Sequence, residues 1–145
     1  MPLDLFTKFA LSTMMLVLCV GIHGFGLFKI SRAMREETME ERLRRVTPLS
    51  FRGAVFTLAI VLALIAIHGI EIWAYALLYL GIGALPDLES ALYYSTISYS
   101  TVGYSDLIIP VEWRLIGAFE SIAGMILLGW STAFFFRMLG RIDAY

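Results

Sequence analysis

His68, Glu71 and Glu120 lie inside long apolar runs, where a charge is costly unless it meets a partner or a function. His68 and Glu71 are three residues apart, so on a helix they share a face and can pair. Such an imidazole–carboxylate pair either titrates near neutral pH or acts as polar glue between helices. Glu120 must turn away from lipid and find donors, for which Ser95, Thr96 and Ser98 are the candidates. His23 stands alone in its own apolar run. With no Cys or carboxylate at ligand spacing, the histidines are not expected to bind metal. The single Cys19 also lies in an apolar run and reads as a small buried hydrophobe. No nucleophile–base pair, phosphate loop or ligand cluster supports enzymatic chemistry, and no cofactor is implied.

A different kind of chemistry is suggested by Pro86–Asp106, a polar stretch flanked by apolar ones. Asp87 and Glu89 suit a helix start, where carboxylates favour the dipole. Leu88, Leu92, Ser95 and Tyr99 recur at helical spacing, which predicts a helix over 88–100. That helix is too short to cross a bilayer, but it can dip in and return if protein surrounds the loose backbone of Thr101–Asp106. Gly103 is the residue there that takes positive φ cheaply.

The elements that must position this segment are membrane spans. The 145 residues are 59% hydrophobic and 16% charged, with a mean hydropathy of +0.80. One small soluble core could not hide that much apolar surface. The net charge of -1 gives no basic excess for nucleic acid. Three stretches reach the roughly 20 residues a helix needs to span a bilayer: about Phe9–Phe28, Gly53–Gly81 and Trp113–Leu139. The first lacks a preceding basic region and an Ala-x-Ala site, so it reads as a retained helix and not a cleaved signal. Lys29, Arg32, Arg35, Arg42, Arg44, Arg45 and Arg52 crowd the first connection, and Arg137 and Arg141 follow the third span. The positive-inside rule puts these in the cytoplasm, with the N-terminus and 84–112 outside. Trp73, Tyr75, Tyr79 and Trp113 then form an outer aromatic belt. Ser31–Arg45 carries i,i+4 ion pairs and a narrow apolar edge of Met34, Leu43 and Val46. It is either an interfacial helix or a solvated connector, ending at Thr47-Pro48, with Ser50 capping the next helix.

Ser98-Tyr-Ser-Thr-Val-Gly-Tyr-Ser-Asp106 resembles the potassium-channel signature Thr-Val-Gly-Tyr-Gly-Asp. The likeness continues through Ile108-Ile-Pro110, Trp113-Arg114-Leu115 and Ala123-Gly-Met-Ile-Leu-Leu-Gly-Trp-Ser-Thr-Ala133, similar to bacterial two-helix pore channels. It implies an all-α membrane protein with a pore domain over 53–139: outer helix 53–82, pore helix 88–100, filter 101–106 and inner helix 113–139. Residues 1–30 add an extra N-terminal helix, 31–52 a charged cytoplasmic linker, and 140–145 a short tail, which makes this a three-span variant in the cell (inner) membrane.

The resemblance implies a homotetramer in membrane lipid, passing K+ between carbonyls of Thr101, Val102, Gly103 and Tyr104. The Thr101 hydroxyl would add the innermost ligands. Consecutive carbonyls can point one way only if the backbone alternates in handedness. Ser105 replaces the family's second filter glycine, where a side chain at positive φ costs about 1–2 kcal/mol. A weakly selective monovalent cation channel is therefore the alternative. By the same resemblance Tyr93 and Tyr94 brace the filter, with Asp106 bonded to Tyr93. Met125, Leu128, Thr132 and Phe136 share one helical face, which the resemblance places on the cavity, with Phe136 as an apolar constriction. Gly124 matches the family's hinge glycine, or else simply allows close packing with Gly117 and Ser121. Asp87, Glu89, Asp106 and Glu112, repeated fourfold, would make the outer mouth negative.

Overall fold

The computed structural model describes residues 4–35, 50–104 and 106–142, and among them every regular element is helical. Helix α1 is Leu5–Arg35, α2 is Phe51–Gly81, α3 is Leu88–Tyr99 and α4 is Arg114–Ile142. Single 3₁₀ turns at Asp106–Ile108 and Val111–Trp113 lie between α3 and α4. Helices α1 and α2 and the stretch Val111–Gly140 are each long and apolar enough to cross a membrane. The expected three-span order therefore holds.

Local chemistry sets the helix ends. The Ser50 hydroxyl accepts from the Gly53 N–H at 3.1 Å and caps α2, as its position suggested. At the other end Gly83 adopts φ +67°, with Gly83 N–H donating to Leu80 O and Ala84 N–H to Tyr79 O. This is a Schellman stop, which lets the chain turn sharply into α3. Asp87 caps α3 by accepting from the Ser90 N–H at 2.8 Å and the Ser90 hydroxyl at 2.9 Å. Those donors, the backbone one foremost, hold its carboxyl below the usual carboxylate range.

Helix α1 runs past the expected end at residue 30 to Arg35. Ser31–Arg35 thus continues the span, and the rest of the expected linker helix lies outside the described residues. Met34 is not on a membrane-surface edge. It is buried with Leu27, Ile60, Leu64, Ile67 and Met138 in a cluster joining α1, α2 and α4. A second cluster at the other end gathers Met15, Cys19, Tyr75, Tyr79, Tyr94, Tyr99, Ile109, Ile116 and Leu127. Tyr75 and Tyr79 therefore leave the aromatic belt, being fully buried, whereas Trp73 is exposed. Both tyrosines face the bundle, a choice of side that helix-end composition does not encode.

In lipid, apolar contacts gain no hydrophobic transfer energy, so close packing and interhelical hydrogen bonds must select this arrangement. Gly26 permits one close approach: a Cβ there would collide with the Ile67 side chain. The extra N-terminal helix thus packs on α2 and α4 of its own chain.

Candidate functional site

The chain leaves α3 through two anchoring bonds. Thr101 N–H donates to Ser98 O and Gly103 N–H to Ile97 O, both at 2.9 Å. Between them the backbone changes hand repeatedly: Thr101 has φ +62°, Gly103 φ +52°, and no positive φ separates them at Val102. Glycine accepts this freely, but threonine at positive φ costs on the order of 1–2 kcal/mol. The sequence reading anticipated alternation and credited it to glycine, not to Thr101. Thr101, Val102, Gly103 and Tyr104 are all exposed on a single chain. Ser105 and the side chain of Asp106 lie outside the described residues, and with them the expected Asp106–Tyr93 bond. Tyr93 is exposed, while Tyr94 is buried, with its ring edge-on to Tyr79 at 5.2 Å. The Tyr94 hydroxyl occupies the space that a side chain on Gly117 would need.

Beneath α3, Glu120 is fully buried and accepts from the Tyr79 hydroxyl at 2.6 Å and the Ser95 hydroxyl at 2.5 Å. Ser95 also lies 2.9 Å from the Ile72 carbonyl. Of the three candidate donors, Ser95 is the one that meets Glu120. Thr96 turns its hydroxyl to Leu92 O within α3. Tyr79 had been assigned to the lipid interface and was missed. One carboxylate thereby ties α2, α3 and α4 together.

One layer deeper lies a second polar centre, between the two apolar clusters. His23 is not isolated: its Nδ1 lies 3.0 Å from Glu71 Oε1, and both side chains have 0% exposure. The Tyr99 hydroxyl donates to Glu71 Oε2. His68 Nδ1 lies 2.8 Å from that hydroxyl and 3.3 Å from Glu71 Oε2. The ring closes through Ser131 Oγ, 2.9 Å from His68 Nε2 and 3.2 Å from His23 Nε2. All four helices contribute. Each of His23, His68 and Glu71 offers a ligand atom within 4.8 Å of the others, so the premise that no carboxylate stands at ligand spacing from His23 is corrected. Spacing along a chain reports one helix at a time, and His23 comes from another.

On α4, Gly124 is buried, and a Cβ there would run into the Tyr99 carbonyl. Close packing is the role the contacts give it. Met125, Leu128, Thr132 and Phe136 are exposed along α4 on a single chain. Thr132 donates its hydroxyl to Leu128 O at 2.9 Å, so it presents no unsatisfied donor. Within the chain this face has no cover.

No curated protein and no solved structure matches the chain. A family model described as "Ion channel" matches residues 60–141, which takes in most of α2, all of α3, the exposed stretch Thr101–Tyr104 (hereafter the hairpin) and nearly all of α4. The matched stretch thus holds the short helix α3 between two helices long and apolar enough to cross a membrane. The chain is a multi-pass membrane protein and belongs to the ion channel family.

Proposed function

We propose that the chain is one subunit of a homotetrameric potassium channel in the cell membrane. The observation that carries this reading is the alternation of backbone hand at Thr101 and Gly103, directly after a short helix that does not span. Such alternation turns successive carbonyls the same way, and a stack of carbonyls can replace the water around a dehydrated cation. One chain offers one stack, so four are needed to enclose the ion. The exposure of Thr101–Tyr104 and of Met125, Leu128, Thr132 and Phe136 is in keeping with surfaces that await neighbouring copies. Potassium enters between the carbonyls, exchanges water for them in steps, and leaves into a cavity bounded by the α4 face. Phe136 narrows the cytoplasmic end. The basic residues of the first connection and after α4 put that end and the C-terminus inside, and the N-terminus outside.

Flux into liposomes holding the purified protein tests this reading. Potassium uptake that exceeds sodium uptake and is lost in Gly103→Ala supports it. Equal uptake of both ions favours the weakly selective alternative.

A further inference from the structure

We propose that His23, His68 and Glu71 form a binding site for a divalent first-row transition cation of the zinc class, with Ser131 as the outer support for both imidazoles. The argument begins with protons. Each of the five links of the ring needs one hydrogen, and two neutral imidazoles, the Tyr99 phenol and the Ser131 hydroxyl together bring four, so beside the Glu71 carboxylate the ring calls for one added cation, a proton or a metal ion. Tyr99 gives its proton to Glu71. It therefore accepts from His68 Nδ1, which leaves His68 Nε2 as a bare lone pair. His23 Nδ1 likewise gives its proton to Glu71, so His23 Nε2 is bare as well. Both lone pairs then point at Ser131 Oγ, which has a single hydrogen to offer. With His23, Glu71 and Ser131 all buried, that conflict is costly.

A metal ion on the Glu71 side removes it. Both Nδ1 atoms become ligands, so both Nε2 atoms carry the hydrogens, and the two lone pairs of Ser131 Oγ accept both. This is the usual support of a metal-bound histidine, whose second nitrogen donates to a fixed acceptor. His23, His68 and Glu71 each offer a ligand atom within 4.8 Å of the others, with His23 Nδ1 and His68 Nδ1 lying 3.0 and 3.3 Å from different Glu71 oxygens. A tetrahedral zinc site with bonds of about 2.0–2.1 Å has ligand–ligand edges of about 3.3 Å, so the imidazoles close on one Glu71 oxygen as the ion binds. Two imidazoles and one carboxylate are an ordinary zinc ligand set, with the Tyr99 oxygen as neighbour on the fourth side. The cation also neutralises the fully buried Glu71. His68, 13% exposed where the other two are closed, gives the ion its way in.

Because Tyr99 stands two residues before Thr101, an ion held here would fix the base of the exposed hairpin. Binding itself is measured without reference to conduction, so this inference and the proposed selectivity fail separately. The probe is cobalt(II), added to tag-free, chelator-stripped protein in detergent and read by visible absorption, with zinc(II) competition by calorimetry. One cobalt per chain with a tetrahedral spectrum, displaced by zinc, is expected. Affinity should fall at least 100-fold in His23→Gln and Glu71→Gln, and about 10–100-fold in Ser131→Ala, which keeps every ligand. Elution as the native oligomer establishes that each variant is folded. Absence of a tetrahedral cobalt spectrum in the unaltered protein overturns the proposal, whatever the variants do. So does affinity unchanged in folded His23→Gln.

Discussion

The carbonyl of Tyr99 occupies the space into which a side chain on Gly124 would project. The end of α3 therefore rests directly on the α4 backbone, two residues before the exposed hairpin begins. Gly124→Ala must separate these helices, and overpacking of this kind costs about 1–3 kcal/mol. Thermal unfolding of the purified protein should register a lower midpoint. Gly129, with open space around it, is the control, and Gly129→Ala should unfold like the parent. Equal midpoints for both variants would rule out the close approach.

Glu120 gathers two donors, so its partners should act together. Leaving a buried carboxylate short of one donor costs about 1–3 kcal/mol. Tyr79→Phe and Ser95→Ala should each destabilise by that order. The double variant should depart from additivity, because both hydroxyls serve one group. A strictly additive cycle in denaturation experiments would show that they do not share Glu120.

The cap of α3 sets a pH dependence. Asp87 is held below its ordinary value of 3.8 by the Ser90 N–H and hydroxyl. A carboxyl with a depressed folded value stabilises above its unfolded value and loses that contribution as pH falls through the folded one. The start of α3 should therefore loosen only below about pH 4. Asp87→Asn, which keeps the cap without the charge, should show a flatter acid limb in hydrogen exchange at Ala91 and Leu92. An identical acid limb in both proteins would remove Asp87 from the account.

Thr101 carries positive φ that a β-branched residue does not adopt cheaply. Thr101→Gly should therefore stabilise the protein slightly while, on the proposed function, degrading discrimination between cations, since the hydroxyl is lost. Thr101→Ser should retain both strain and hydroxyl, and with them most of the parent's selectivity. Matched selectivity in Thr101→Gly and the parent would exclude the hydroxyl from the ion path.

These contacts separate what apolar length announces from what it hides. Spans of sufficient length, the cap at Ser50 and the acidic start of α3 are local properties, and the residues declare them. Glu120 and Ser95 were also within reach, because each polar group in apolar surroundings must find another. His23 was not. Its partner lies 48 residues away on a different helix, and nothing in its own run points there. Tyr75, Tyr79 and Met34 show the same limit in another form. An aromatic near a helix end suits the interface or the bundle equally, and rotation about the helix axis decides. Thr101 was hidden for a third reason: its backbone hand goes with the anchoring bonds that the Thr101 and Gly103 N–H groups donate to Ser98 O and Ile97 O, and not with side-chain propensity.

Reversal potential across a planar bilayer, with potassium on one side and sodium on the other, bears most directly on the role assigned to Thr101–Tyr104. The account predicts a current that reverses close to the potassium equilibrium potential and vanishes in Gly103→Ala. A reversal near zero, or an unaltered current in Gly103→Ala, would contradict it.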